Sequence, residues 1–174
     1  KSATSLFIIQ VLKHFGIDPV CCTSDVWSKE EIEKLGVKTI IRVNQIDQYS
    51  DSFTHVFDPF FDLNLSKAVR VLSNGGKYIF CGFLNQHPIL SKKSDNVLSE
   101  SEVFDSIKLV IVKNISLIGN CLGRQDDLDR VIELYGDGAS PIIDSIYDIN
   151  QIKEFLMRSF LDKNKFGKSV INYK

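Results

Sequence analysis

The 174 residues are 44% hydrophobic and include 12 Phe, enough for a sizeable buried core in one domain or in one domain and part of another. Lys and Arg (21) nearly balance Asp and Glu (22) with no basic run or stripe, which argues against nucleic acid or an anionic membrane as the main partner. No apolar run approaches the roughly 20 residues of a membrane span, and no signal peptide is visible, so the cytoplasm is the default expectation.

"SLFIIQVLKHFG" (5–16) is apolar nearly all round a helix, which predicts a deeply buried first helix closed by Gly16. "PVCCTS" (19–24) reads as a short buried strand. "SKEEIEKLG" (28–36) has a Ser cap, an acidic first turn, Lys34 near its end and a closing Gly36, so it is a helix, and "KTIIRV" (38–43) is a strand. "NQIDQYSDS" (44–52) is too short and polar for much of a crossover helix. "FTHVFDPFF" (53–61) is a strand entering a Pro turn, "LNLSKAVRVLS" (63–73) a helix, "NGG" (74–76) a turn, and "KYIFCGF" (77–83) a strand. Residues 84–100 read as a long polar loop, a kind that often carries function.

A helix (101–114) and the strand "ISLIGN" (115–120) follow. "RQDDLDRVIELYGDG" (124–138) is an amphipathic helix, "PIIDSIYDI" (141–149) is extended, 150–163 is helical and "GKSVINY" (167–173) is a last strand. Strands alternating with helices predict an α/β fold with a mostly parallel sheet covered on both faces. Cys21, Cys22, Cys81 and Cys121 lack C-x-x-C spacing and sit in apolar runs, which predicts buried, reduced thiols rather than ligands of a metal.

In order and wording, "IIQVLKHFG", "SKEEIEKLGVKTII", "HVFDPFF", "LSNGGKYIFCGF", "ISLIGNCLG", "LDRVIELYGDG" and "FGKSVINY" resemble the cofactor-binding part of the medium-chain dehydrogenase/reductases, the zinc-type alcohol dehydrogenases and quinone reductases. The resemblance implies a Rossmann-like doubly wound sheet of order 3-2-1-4-5-6 that lacks its first strand in this chain. It divides the chain into an N-terminally incomplete dinucleotide-binding domain (1–122) and a segment (123–174) that returns to complete a catalytic domain absent here. The expected partners are a nicotinamide cofactor, a small carbonyl, alcohol or alkene substrate, that missing N-terminal catalytic domain, and a second copy in a homodimer, since sixth strands of the family often pair across a two-fold axis.

By this resemblance "SATS" (2–5) replaces the family's G-G-V-G. Ser2 and Ala3 are small enough for close approach of a pyrophosphate, and Thr4 adds a hydroxyl at a helix N-terminus. The same residues also suit a plain helix cap. Ser24 stands where NAD-dependent relatives carry an acid, so Thr23, Ser24 and Lys29 favour a 2′-phosphate and NADP(H) over NAD(H), with Asp25 opposing. Lys29 also reads as a solvated helix charge. Cys81, Gly82, Asn120 and Leu122 align with backbone that holds the nicotinamide carboxamide, and Asp58, Pro59 and Phe60 border its ribose.

No catalytic group is assignable: His14, His55 and His87 share no motif with a carboxylate or cysteine, and no metal spacing is present. The family's proton-relay and zinc residues lie outside this chain. An oxidoreductase portion that positions nicotinamide for hydride transfer is the leading expectation. The alternatives are a non-catalytic Rossmann module used for dimerisation or assembly, and a methyltransferase-like domain, which predicts an antiparallel hairpin at the C-terminus.

Overall fold

Parallel ladders separated by helices organise the computed structural model, which describes residues 1–83, 98–121, 123–162 and 164–173. Three sheets are present among these residues: β1 (Val20–Thr23) with β2 (Thr39–Arg42), β3 (Phe53–Asp58) with β4 (Leu72–Phe80) and β5 (Ser116–Gly119), and β6 (Ile143–Asp148) with β7 (Lys168–Asn172). They belong to two compact units, one of residues 1–41 with 124–174 and one of residues 42–123. The sheet β1-β2 corresponds to strands 2 and 3 of the expected order, and the sheet β3-β4-β5 to strands 4, 5 and 6. The described residues thus form an α/β, Rossmann-like fold, without strand 1 among them.

In the first unit, α1 (Ala3–His14) ends in Lys13 and His14, basic residues that suit a helix C-terminus, and Gly16 follows in the left-handed conformation at φ 73°. β1 (Val20–Thr23) and β2 (Thr39–Arg42) flank α2 (Lys29–Leu35). At the start of α2, Glu31 N–H donates to Ser28 Oγ at 3.2 Å and Ser28 N–H donates to Glu31 Oε2 at 2.8 Å, a reciprocal cap. Leu6, Ile9, Cys21, Leu35, Val37, Ile142 and Phe166 form the core, with Trp27 edge-on to Phe166 at 5.9 Å.

Three expectations fail. Only Leu6 and Ile9 of α1 are buried, and the neighbouring Phe15 is 63% exposed, because this core covers one stripe of the helix and not its circumference. β1 alternates, with Val20 and Cys22 exposed against buried Cys21 and Thr23, so it is covered on one face only. Of the four cysteines only Cys21 is buried, and burial pushes its thiol up to about 11; Cys22, Cys81 and Cys121 are exposed, and all four are reduced.

α5 (Gln125–Gly136) leads to β6 (Ile143–Asp148), α6 (Ile152–Phe160) and β7 (Lys168–Asn172). β6 and β7 pair in parallel, from Ile143 with Lys168 to Asp148 with Asn172, so the antiparallel end required by a methyltransferase-like domain is absent. Asp144 ties β6 to α6 and to the segment that leads into β7. It accepts from Arg158 Nε and Nη2, each at 2.7 Å, and from the Phe166 N–H at 2.7 Å.

The second unit begins with a 3₁₀ segment (Val43–Tyr49), in keeping with a stretch too short and polar for a full crossover helix. β3 (Phe53–Asp58), β4 (Leu72–Phe80) and β5 (Ser116–Gly119) follow, all parallel. α3 (Phe61–Val71) and α4 (Glu100–Val112) pack with them around Leu65, Ala68, Val69, Leu72, Tyr78 and Ile115. The expected NGG turn lies within β4 instead. Phe53 pairs with Leu72 and His55 with Lys77, so residues 73–76 bulge out of the ladder, with Gly75 at φ 73°. The strand also stops at Phe80 rather than running to Phe83.

Candidate functional site

The carboxyl ends of β3, β4 and β5 finish flush: Asp58 pairs with Phe80, and Phe80 with Gly119. Beyond that line the chains are laced together by backbone. Cys81 N–H donates to Asp58 C=O at 3.3 Å, Phe61 N–H to Gly82 C=O at 3.0 Å, and Asn120 N–H to Phe80 C=O at 2.8 Å. Strand carboxyl ends are where open parallel sheets bind ligands, because helix N-termini and free loop backbone converge there. This edge brings together Asp58, Pro59, Phe60, Cys81, Gly82 and Asn120 of the residues expected from the sequence. Leu122, His87 and most of the expected 84–100 loop lie outside the described residues.

Gly82 is the close-approach point. A Cβ there would stand 3.0 Å from the Pro59 carbonyl oxygen, tight enough to move one backbone segment or the other. Cys81 and Asn120 are exposed residues, and the N–H of each is already bonded within the edge. Burial, and behind it the charge of Asp58, raises the Cys81 thiol above its ordinary range, which makes it a poor nucleophile at neutral pH.

Asp58 itself is turned inward. Oδ1 accepts from the Phe60 N–H at 3.0 Å and Asn64 Nδ2 at 2.9 Å, and Oδ2 accepts from the Tyr78 phenol at 2.5 Å. Tyr78 and Asn64 escaped the sequence reading. Asn64 had only a faint signal, a polar residue six positions after Asp58 in a helix otherwise apolar on that side. Tyr78 had none, since nothing local links it to a carboxylate twenty residues earlier.

In the first unit, α1 starts at Ala3 after Ser2, whose φ/ψ of −66°/131° suit a cap but whose side chain makes no capping bond. Thr4 is exposed and Ala3 half-buried. At the end of β1, Thr23 Oγ1 accepts from the Asp25 N–H at 3.0 Å, shaping the turn that leads to α2. Ser24 and Lys29 are exposed. Lys1, a further cation at the start of this unit, is committed to Glu31 at 2.6 Å.

His14 is exposed in the last turn of α1, and exposed His55 lies 3.0 Å from its neighbour Thr54 Oγ1. Among the described residues no group of three or more His, Cys, Asp or Glu is placed to hold a metal ion. No helix among them is long and apolar enough to cross a membrane. In the second unit a depression of about 420 Å³, lined by Asp47, Asp51, Arg70 and Lys113, lies at the amino edge of β3-β4-β5. Its charges are paired with one another, so the carboxyl edge remains the better candidate.

No family model matches the sequence, and no curated protein does. Solved structures do match. A cobalt- and zinc-bound thermostable alcohol dehydrogenase from Pyrobaculum aerophilum superposes with a TM-score of 0.67 at 18% identity, over 95% of this chain and 46% of its own. An NAD-dependent alcohol dehydrogenase gives 0.71 at 14% identity, over 98% and 48%. A 2-octenoyl-CoA carboxylase reductase, solved with NADP and 2-octenoyl-CoA, gives 0.63 at 18% identity, over 86% and 36%. The chain therefore spans less than half the length of these structures. The resemblance read from the sequence is borne out at the level of the fold: this chain is built like a portion, less than half, of these alcohol dehydrogenase and carboxylase reductase chains.

Proposed function

We propose that this chain is the cofactor-binding portion of an NAD(P)H-dependent oxidoreductase acting on a small carbonyl, alcohol or activated alkene. The observation that carries this reading is the flush carboxyl edge of β3-β4-β5, with Gly82 closed against Pro59 and with Cys81 and Asn120 exposed beside it. A bound nicotinamide supplies or accepts the hydride; the protein supplies position and electrostatics. The residues present fit such a group. Cys81, Gly82 and Asn120 offer main-chain groups to a carboxamide, Leu122 is assigned to the same role, and Pro59 and Phe60 border the ribose.

At the other end of the cofactor, the start of α1 serves the pyrophosphate. The small side chains of Ser2 and Ala3 leave its first turn approachable, and Thr4 adds a hydroxyl. Thr23 shapes the loop that presents Ser24, and Lys29 supplies an exposed cation, which favours NADP(H) over NAD(H). The neighbours' names include both cofactors, NAD for one and NADP for another. The acid–base groups of the reaction are assigned to a part of the protein outside this chain, which matches its coverage of less than half of each neighbour. Pairing of β5 edges in a homodimer and a cytoplasmic setting belong to the same proposal.

The test is titration of the intact protein with NADPH and NADH by fluorescence or calorimetry. Micromolar binding, tighter for NADPH and weakened by Lys29→Ala, is the expected result. Absence of binding at millimolar cofactor overturns the reading and leaves a structural module whose glycine-free turn no longer serves a nucleotide.

A further inference from the structure

The Asp58 carboxylate is 8% exposed and the Tyr78 side chain fully buried, yet this pair sits under the one edge of the sheet where a ligand is expected. Three donors converge on the carboxylate from three places: the Tyr78 phenol in mid-β4, the Phe60 N–H in the turn after β3, and the Asn64 amide in the first turn of α3. Burial, then the charge of Asp58, lifts the Tyr78 phenol far above its ordinary range, so it remains a donor at any working pH. A carboxylate serving three internal donors has little left to offer a ribose hydroxyl.

What this hub holds is backbone. The Asp58 carbonyl takes the Cys81 N–H, and the Phe61 N–H reaches the Gly82 carbonyl, so the 58–61 turn and the exit of β4 move together. Gly82 leaves no room for a side chain toward Pro59. Any shift of the turn is therefore passed to residues 81 and 82.

Resting on the cofactor reading above, we propose that Asp58, Tyr78 and Asn64 are a positioning unit for the nicotinamide end of the site. Asp58 does not touch the cofactor; it locks the Pro59–Phe60 turn against the Cys81–Gly82 backbone, which does. The loss of one hydrogen bond to a buried charge then appears as lost precision at this end alone.

The experiment titrates the intact protein and its Tyr78→Phe and Asn64→Leu variants, both close in shape to the native residues, with NADPH, NADH and adenosine 2′,5′-bisphosphate. The last probe carries only the adenosine end, whose assigned contacts Thr23, Ser24 and Lys29 belong to the other unit. Each variant is expected to weaken dinucleotide binding about tenfold, the usual worth of one such bond, and to leave the adenosine probe unchanged. Lower thermal stability with unchanged affinities for every probe overturns the proposal, as does an equal loss for all probes. Failure of the unsubstituted protein to bind any dinucleotide sinks the cofactor reading and this proposal with it; binding by that protein with unchanged variants sinks only the positioning role.

Discussion

Lys113 sits just after α4 with only 12% of its side chain exposed, and its ammonium has four partners in the second unit. It donates to the carbonyls of Val69, Arg70 and Leu72 at 2.9 to 3.0 Å, where α3 runs out of its own donors, and it pairs with Asp51 at 2.8 Å. That hydrogen bond, with one from Ser50, holds the Asp51 carboxyl below its usual range. Lys113→Met keeps most of the stem and removes the charge, so it should lower the unfolding free energy by about 2 kcal/mol, measured by urea denaturation. A change below about 0.5 kcal/mol, the size of a neutral surface substitution, contradicts the capping role. Neither this hub nor the one at Asp58 was legible in the sequence. Lys113 caps a helix more than forty residues earlier, and Tyr78 is twenty residues from its acceptor. What the sequence did show at the sheet edge was residue type: an Asp-Pro after a strand, a glycine after another, and an asparagine after the third. Those types needed only the parallel register to bring them together.

Elements were more legible wherever local chemistry closes them. Ser28 with Glu31 and Ser99 with Glu102 are reciprocal caps written three residues apart, and both helices begin there. β4 was harder, because an Asn-Gly-Gly stretch reads as a turn whether it ends a connection or bulges from a strand; only the partner strand decides. The joint of β6, α6 and β7 shows the same limit, since Asp144 meets Arg158 and Phe166 across 14 and 22 residues. Its hydrogen bonds from Arg158, Phe166 and Ser145 bring the Asp144 carboxyl down from 3.8 to about 2, against the opposing effect of burial. The folded pKa lies below the unfolded one, so the stabilisation is complete above the unfolded value and is lost as pH falls through about 2. With the side chain 5% exposed, that shift corresponds to about 2 kcal/mol. Asp144→Asn should therefore flatten the stability profile between about pH 5 and pH 2 by this amount relative to the unsubstituted protein. Denaturant melts at a series of pH values measure it, and parallel profiles for the two proteins would refute the assignment.

At the scale of the molecule, the alternation of strands and helices made the α/β class legible, and the ordered phrases made the Rossmann-like order legible. Composition alone could not say which apolar surfaces are covered. α1 is apolar all round, yet its core contact is one stripe, and the hydrophobic residues Leu128, Ile132 and Tyr135 of α5 are more than half exposed. Each unit has its own core, one around Leu6 and Phe166 and the other around Leu65 and Tyr78, and Asp144 belongs to the first unit and Lys113 to the second. A ligand that binds only the folded protein adds its own increment to stability, whatever the starting value. If the cofactor binds as proposed, a concentration one hundred times its dissociation constant should raise the unfolding free energy by about 2.7 kcal/mol. Lys113→Met and Asp144→Asn lower the baseline but touch none of the assigned site residues, so each should keep that full increment. Tyr78→Phe, at the same cofactor concentration and with affinity reduced about tenfold, should retain only about 1.4 kcal/mol of it. Thermal or urea melts with and without NADPH give all four increments in one series. A full increment in Tyr78→Phe would separate the Asp58 hub from the cofactor, whereas a halved increment in all three variants would mean that binding reports general loosening rather than the geometry of one sheet edge.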